Sequence, residues 1–390
     1  MLRALYSAIS GLRSHQTMLD VTGNNIANVN TTAFKASATQ FQDTLSQLTK
    51  GASGAQAAAG GSNPAQIGLG VQVAAISTNF SQGSAQATGR ATDMMISGDG
   101  FFVVQSGGET LYTRAGSFSF DSAGRLVTPD GAMVQGWTAV NGEVPSAGAV
   151  VGPITLPQNA VAPATKTTAV TMSGNLPAGA ALGDKLVRDV DVYDPTGETR
   201  TLTLTFERTA TGWDVDGVDG ATTATGAMTF ASGKLTGGGT LAIGDINIDL
   251  TGVTGYAGLD SVAATHQDGR EPGTLQSFSL SKDGTLVGSF SNGATEPIAR
   301  IALATFVNAG GLEKAGGSTY RTSINSGAAA MGTAGSGGVG SLMGGALEMS
   351  NVDLSQEFTN LIVAQRGFQA NARIITTSDE VLQELTNLKR

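Results

Sequence analysis

Side chains that could perform acid–base or nucleophilic chemistry are scarce in this sequence. The chain has two histidines, His15 and His266, and no cysteine. Thiolate nucleophiles, disulfides and Cys-ligated metals are therefore excluded. A histidine that acts as the base for a nucleophile could only be one of these two. His15 falls in a predicted helix, where a packing or surface role is expected, and His266 falls in a polar run predicted to be a loop. We predict no catalytic residue and no enzymatic activity.

Two groups of aspartates have a spacing that resembles calcium loops. They are Asp189, Asp191 and Asp194, and then Asp214, Asp216 and Asp219. A calcium loop of the EF-hand type also needs a distal glutamate, and neither group has one. We expect these carboxylates in turns or on strand faces, and we predict no metal site.

One glycine-rich segment matches the dinucleotide fingerprint in form. Gly335 to Gly340 reads GSGGVG. That motif binds a pyrophosphate only where an apolar strand precedes it and a helix follows it, whereas small residues flank this segment. The sequence therefore predicts no nucleotide and no other cofactor.

Composition and charge also limit the possible partners. The chain has 390 residues, 55 of them Gly, with 14% charged residues, 5% aromatic residues and a formal net charge of -9. The charges of residues 1–50 and 348–390 cancel, so the negative charge lies in the middle and disfavours binding to nucleic acid or anionic membranes. The start has no cleavable signal pattern, and no apolar run is long enough to span a bilayer.

Both ends of the chain carry a heptad pattern of apolar residues. The positions are Leu2, Leu5, Ile9, Leu12, Leu19 and Ile26 at the start, and Phe358, Leu361, Phe368, Ile375 and Leu382 at the end. A 3.5-residue period is typical of helices that pack along their length, so we predict terminal helices over about 2–28 and about 350–390 that form an assembly interface. Ser350 and Asp353 are a possible capping box for the second helix. An antiparallel helix pair inside one chain is the alternative.

Between the ends, apolar residues alternate with Thr and Gly, which predicts antiparallel β-structure. A hairpin pattern around Gly124 recurs around Gly284, and we interpret the two as halves of one domain interrupted by an insertion. The predicted fold is mainly β with a terminal helical coiled coil and nested β domains. The predicted parts are a helix and linker (1–66), an inner β domain (67–145 and 272–326), an inserted outer β domain (146–271), a Gly-rich linker (327–340) and a C-terminal helix (341–390).

The ends also carry two longer motifs. Asn24 to Lys35 reads NNIANVNTTAFK, and Gln365 to Arg373 reads QRGFQANAR. These motifs resemble the N- and C-terminal signatures of bacterial flagellar rod and hook proteins, and residues 97–102 and 112–118 resemble the inner β domain of that family. The signature positions are Asn24, Asn25, Asn28, Phe34, Lys35, Gln365, Arg366 and Asn371. One departure is Ala33, where the family usually has Gly; a positive φ there would strain alanine.

The resemblance implies a structural protein that polymerises into a tube outside the cell, and the large insertion favours a hook subunit over a distal rod protein. The implied partners are other copies of the chain, the distal rod, the hook cap, the hook–filament junction proteins and the flagellar type III export apparatus, without nucleic acid or membrane insertion. Export would need no cleaved leader. The alternatives are a distal rod protein and, more remotely, a secreted β-rich carbohydrate-active enzyme or a surface adhesin.

Overall fold

The computed structural model describes residues 2–54, 60–140, 142–145, 148–156 and 161–387, with the side chains of residues 2 and 385 outside that description. The chain forms two compact units. Unit 1 contains residues 1–156, 279–287 and 297–390, and unit 2 contains residues 157–278 and 288–296. The predicted class, mostly β with one helix at each end, is confirmed.

The helices are α1 (Leu2–Ala27) and α2 (Leu354–Asn387), with a short 3-10 turn at Ala309–Gly311. The first strands are β1 (Ser37–Asp43), β2 (Ser46–Lys50), β3 (Ala65–Gly68), β4 (Val71–Thr78), β5 (Ala85–Ala87), β6 (Met94–Ser97), β7 (Phe101–Ser106), β8 (Glu109–Thr113), β9 (Ser119–Phe120), β10 (Leu126–Val127), β11 (Met133–Thr138) and β12 (Gly152–Pro153). The next are β13 (Val161–Ala162), β14 (Ala169–Asn175), β15 (Lys185–Tyr193), β16 (Thr199–Arg208), β17 (Gly212–Asp219), β18 (Thr222–Ala231), β19 (Lys234–Gly237), β20 (Thr240–Ile243), β21 (Ile246–Thr254) and β22 (Ala263–Gln267). The last are β23 (Gly273–Leu280), β24 (Thr285–Phe290), β25 (Thr295–Ile301), β26 (Leu303–Thr305), β27 (Glu313–Gly316), β28 (Thr319–Arg321), β29 (Ala330–Gly332), β30 (Ser341–Gly344) and β31 (Ala346–Glu348).

The two helices begin and end at recognisable signals. In α1, the run of asparagines after residue 23 competes with helical hydrogen bonding, and Asn28 Nδ2 donates to Asn24 O at 2.9 Å where the helix ends. Before α2, Asp353 is the N-cap, because its Oδ1 accepts hydrogen bonds from the backbone N–H of Ser355 and Gln356. The predicted capping box was therefore wrong in detail: the N-cap is Asp353 instead of Ser350, and the helix begins at Leu354.

The β part of unit 1 packs around an aromatic core. Strands β11, β7, β8, β28 and β27 lie side by side in that order. Phe101 and Tyr112 contact Phe306 edge to face, with ring centroids 5.7 and 4.8 Å apart. Trp137 is buried, and its indole N–H donates to Ala149 O at 2.9 Å. The aromatic residues pack with buried aliphatic residues such as Val103 and Ala304 to form this core.

Unit 2 has its own sheet and core. Its strands follow the order β15, β16, β17, β18, β19, β21, β14 and β22, with β14 and β21 parallel. On β16 the apolar Leu202, Leu204 and Phe206 are fully buried, and the threonines between them face outward. This alternation follows from the two-residue period of a strand, so the sequence pattern was read correctly here.

Several predicted boundaries differ from the structure. The predicted N-terminal linker, residues 51–66, connects two strands that pair with each other: β2 ends just before it, and β3 begins within its last two residues. Residues 55–59 of it lie outside the description. Within the predicted second linker, β29 pairs with β26. The predicted C-terminal helix starts late, because β30 and β31 pair with β6 and β5. Glycine and serine are tolerated in these short strands because each is held by a neighbour distant in sequence.

The edges of the predicted insertion also differ. Pro153 lies in β12, which pairs with β11 of unit 1, so residues 148–156 belong to unit 1 rather than to the predicted outer domain. Conversely, residues 272–278 and 288–296 belong to unit 2. The five-part division of the chain otherwise stays a prediction.

The two similar hairpin turns have matching hydrogen bonds. Gly124 N donates to Asp121 O, and Gly284 N donates to Ser281 O, both at 3.0 Å. The glycines have φ of 76° and 82°, a conformation that favours glycine. The repeated sequence pattern therefore reflects one repeated turn geometry.

Candidate assembly interface

The terminal helices pack against each other as an antiparallel pair within one chain. A Cβ atom added to Gly11 would lie 2.9 Å from Asn371 Oδ1, and one added to Gly367 would lie 2.5 Å from His15 Cε1. Position 11 thus faces 371 and position 15 faces 367, which fixes opposite directions. Glycine at both positions allows the backbones to approach closely. The chain therefore forms the intramolecular pair that was considered as the alternative.

The seam of this pair is displaced by one residue from the predicted heptads. Gly11 and Gly367, which lie at the seam, directly precede the predicted Leu12 and Phe368. The residues buried on the two helices are Ala8, Gly11, Ser14, Thr22 and Asn25 on α1, and Glu357 and Ala364 on α2. Ala8 directly precedes the predicted Ile9, and Glu357 directly precedes the predicted Phe358. One residue corresponds to about 100° of helix rotation. Small and polar residues therefore make the contact inside the chain, and the apolar heptad positions lie beside it.

The predicted interface residues are consequently available for further contacts. Leu5, Ile9, Leu12, Leu19, Ile26, Leu361, Phe368 and Ile375 are half-buried, Phe358 and Leu382 are exposed, and the side chain of Leu2 lies outside the described residues. Phe358 is 49% exposed, an unusual value for phenylalanine in a folded chain. Sequence reasoning missed Leu354, Ile362, Val363, Ile374 and Val381, which are also exposed on α2. Leu354 lies one heptad before Leu361 and so continues the predicted pattern, whereas the other four lie off it and a helical period of 3.6 would have identified some of them.

The signature asparagine Asn25 connects α1 to the first strand. Its Nδ2 donates to Ser37 O at 2.8 Å, and its Oδ1 accepts from Ser37 N at 3.0 Å. Asn24 and Asn28 are joined by a side-chain hydrogen bond of 3.0 Å. These amides hold the chain in place where the helix stops.

The other signature residues have different environments. Phe34 lies 5.3 Å from the ammonium of Lys314, in a cation–π contact. Asn371 faces Gly11 and donates to Gly367 O at 2.9 Å. Gln365 and Arg366 are exposed on α2. The structure thus brings Asn371 into the helix seam and leaves Gln365 and Arg366 on the surface.

Lys35 is the centre of a buried ionic group that sequence reasoning did not find. Its Nζ lies 2.5 Å from Glu348 Oε1, and Arg114 Nη1 lies 3.7 Å from Glu348 Oε2. We call Lys35, Glu348 and Arg114 the Lys35 cluster; all three are at most 2% exposed. The pKa of Lys35 is lowered, because burial lowers it by more than the hydrogen bond and charge of Glu348 raise it. Its three residues come from distant parts of the chain, with Lys35 and Glu348 lying 313 positions apart, so no local sequence pattern indicates the cluster.

Ala33 lies next to this cluster with a strained backbone. Its φ is 57°, and it is 1% exposed. Its N–H donates to Glu348 O at 2.8 Å, which requires this conformation to be kept. A left-handed conformation costs alanine about 1 kcal/mol or more. Ala33 therefore has the positive φ that was expected to strain an alanine at this position.

The residues first considered for chemistry are dispersed. His15 packs edge to face on Phe41 at 5.7 Å, and His266, predicted in a loop, lies on β22 instead. Thr196 Oγ1 donates to Asp194 Oδ1, which lowers the pKa of that carboxyl in a turn. In the described part of the chain, no three His, Asp or Glu residues are grouped closely enough to hold a metal ion.

Two further observations concern a cofactor and the membrane. Residues 335–340 form a loop between β29 and β30, so the formal fingerprint has a strand where the nucleotide motif needs a helix. Neither helix, over the residues described, is both long and apolar enough to cross a membrane.

Comparisons with known proteins cover both ends and the inner β region. Three family models match: flagella basal body rod protein over residues 5–35, flagellar hook protein FlgE/F/G D1 domain over residues 95–176, and flagellar basal body rod FlgEFG protein C-terminal over residues 343–388. The flagellar hook protein FlgE of Treponema pallidum is 38% identical over 463 aligned residues and covers 100% of both chains. The chain belongs to the flagellar hook and basal-body rod protein family. The resemblance inferred from the two terminal motifs is thus confirmed.

Other members of this family are similar over comparable lengths. The flagellar hook protein FlgE of Salmonella typhimurium is 38% identical over 98% of this chain and 99% of its own. The flagellar basal-body rod protein FlgG of Bacillus subtilis is 37% identical over 100% of both chains. Similarity to hook and rod proteins over the full length supports a structural role in the flagellum rather than an enzymatic one.

Proposed function

We propose that this chain is the subunit of a flagellar hook, a tubular helical polymer that joins the rod to the filament and transmits torque around a bend. One observation carries the proposal beyond family membership: α2 exposes many large apolar side chains along its length. They are Leu354, Phe358, Ile362, Val363, Ile374, Val381 and Leu382. So many exposed apolar side chains on one helix are typical of a surface that packs against a further partner.

A second copy of the chain is the partner that fits this surface. The displaced seam leaves half-buried residues such as Leu12 and Leu19 on α1 beside it, so each helix pair offers apolar strips with helical spacing. Neighbouring copies can pack these strips in the manner of a coiled coil. Packing of many such pairs around an axis would produce the inner tube, and helix formation would be stabilised by assembly.

Unit 2 would supply the outer surface of the polymer. On the outward face of β15 and β17, Asp189, Asp191, Asp214 and Asp216 lie among threonines. Contacts between such small, polar surfaces slide at lower cost than large apolar interfaces. A bent rotating tube must lengthen and shorten on opposite sides in each turn. The helices would therefore give cohesion and unit 2 compliance.

The remaining partners follow from a place in the hook. The proposal includes contacts with the distal rod, the hook cap and the hook–filament junction proteins, and passage through the flagellar type III export apparatus as an unfolded chain without a cleaved leader. A cysteine-free chain suits that passage, since no disulfide can form on the way. The protein acts as a non-enzymatic structural component outside the cell.

A distal rod protein is the second candidate. It is favoured by the rod relative from Bacillus subtilis, which matches this chain over its entire length. The hook is favoured by hook relatives from Treponema pallidum and Salmonella typhimurium, which match the chain over comparable lengths at slightly higher identity. A straight polymer would support the rod, and a curved one the hook.

Electron microscopy of basal bodies from a strain that lacks the gene tests the proposal. A complete rod without a curved hook is the expected result. A truncated rod would support the second candidate, whereas intact flagella would contradict both. Complementation with the parental gene is the control.

A further inference from the structure

Two short segments flank the helix pair and are bonded to each other. Residues 33–36 follow α1, and residues 348–351 precede α2. Besides the bond from Ala33 N to Glu348 O, Asn351 N donates to Phe34 O at 3.3 Å, and Asn351 Oδ1 accepts from Ala36 N at 2.8 Å. The two helices are thus tied together at one end through their adjoining segments.

A third segment completes this connection. Lys35 Nζ donates to Ser81 O at 2.7 Å, and Glu348 Oε1 accepts from Gly83 N at 2.9 Å. Asn351 Nδ2 also donates to Asn79 O at 2.9 Å. Three segments distant in sequence therefore meet at the Lys35 cluster. The two ionic partners, Lys35 and Glu348, have fully buried side chains.

The helix seam makes two close contacts that depend on the axial register, Gly11 with Asn371 and Gly367 with His15. The Lys35 cluster adds a buried ionic contact to these two. A slip of one heptad would move α2 by about 10 Å along α1. Such a slip would have to separate Lys35 from Glu348 and leave a buried charge without its partner, which is strongly unfavourable.

We propose that the Lys35 cluster sets the axial register of α1 against α2, with Lys35, Glu348 and Arg114 as positioning residues. Buried polar groups have this role in coiled coils, where they select one register at some cost in stability. The inference deepens the proposed function, because the register decides which apolar residues of α1 and α2 lie side by side toward a neighbouring copy.

Disulfide trapping in the full-length chain tests this inference, and the cysteine-free sequence makes it straightforward. The pair H15C/G367C reports the observed register, since His15 contacts position 367. The pairs H15C/N360C and H15C/I374C report slips of one heptad in either direction. Oxidation at high dilution, followed by mass spectrometry of linked peptides, measures intramolecular links only.

In the parental background we expect a link through H15C/G367C and almost none through the other pairs. In K35M/E348Q, which removes both charges and keeps an acceptor for Gly83 N, the slipped links should rise at least about tenfold relative to the native link. If K35M/E348Q does not fold, K35Q/E348Q, which keeps a donor for Ser81 O and an acceptor for Gly83 N, replaces it with the same expectation. The single variant K35R keeps the positive charge and its partner Glu348, so it should show the parental pattern of links.

R321M/E109Q is the matched control, because Arg321 and Glu109 form an ion pair in the same unit but are about half exposed. It should leave the pattern of links unchanged. Unchanged links in K35M/E348Q, or no native link in the parental chain, would overturn the inference. Links are read in single chains, so failed polymerisation with a normal link pattern would count against the proposed function alone.

Discussion

Asn25 and Ser37 exchange two hydrogen bonds, so that one side chain of α1 copies the pairing of a β-strand onto the start of β1. The amide does this because it carries a donor and an acceptor side by side. Asn25 is 1% exposed, so neither bond can be replaced by water without moving the chain. A residue of the family signature thereby fixes the direction in which the chain leaves the helix.

N25D should destabilise this junction by about 1–3 kcal/mol, because a carboxylate oxygen would replace the donor and face Ser37 O. Hydrogen exchange of residues 28–40 would show the loss of protection. N24D is the control, since Asn24 is exposed and its Oδ1 acts as an acceptor, which Asp retains. Equal protection in N25D and N24D would mean that the two hydrogen bonds do not hold the junction.

F358E should prevent polymerisation while leaving the single chain folded. Phe358 is half exposed on α2, so a charge there has little cost in the monomer but would be buried in a helix–helix interface. Sedimentation and electron microscopy would measure the polymer, and circular dichroism the fold. Q369E adds the same charge at an exposed polar position of α2 and should polymerise. Normal polymers from F358E would exclude this side chain from the interface.

The two helix glycines Gly367 and Gly23 should respond oppositely to glutamine. G367Q would place a side chain against the His15 ring and separate the helices, at a cost of about 1–3 kcal/mol. Around Gly23 there is open space, so G23Q should stabilise α1 by up to about 1 kcal/mol through helix propensity. Denaturant unfolding followed by the helical far-UV signal measures both. A destabilisation in both variants would indicate a shared cause other than the seam.

Removal of the sheet of unit 2 should leave a polymer of altered stiffness. Thr165 and Arg270 exchange two backbone hydrogen bonds, at 3.1 and 2.9 Å, so a short Gly-Ser link can join them after deletion of residues 166–269. Because the helices would supply cohesion, tubes should still form, and their curvature and persistence length should change. Loss of all tubes would contradict the assigned division of roles.

Alkaline pH should weaken unit 1 through Tyr320. Burial raises the pKa of this phenol from 10.0 to about 12, so the folded state keeps its proton longer than the unfolded state does. Stability is therefore complete below pH 10 and is lost as the pH rises toward 12, by about 2–3 kcal/mol in total. The difference in unfolding free energy between the parental chain and Y320F, measured against pH, isolates this contribution. A difference that does not vary with pH would contradict it.

Local sequence patterns predicted the two helices, many of the strands and the protein family. The heptads at both ends predicted α1 and α2, and the alternation on β16 predicted its buried face, because helix and strand periods act over a few residues. The same patterns failed for β30 and β31. These strands are only four and three residues long, and they are held by partners far away in the sequence.

The sequence by itself determined two terminal helices, a β-rich body and membership of the hook and rod family. Only the tertiary structure decided that the helices meet where Gly11 faces Asn371 and Gly367 faces His15 rather than through the apolar heptad, since close approach depends on where glycines lie across the pair. The contact between Lys35 and Glu348 joins residues 313 positions apart. Such a pair forms because the folded chain buries both charges in one place, and no property of either residue alone predicts its partner.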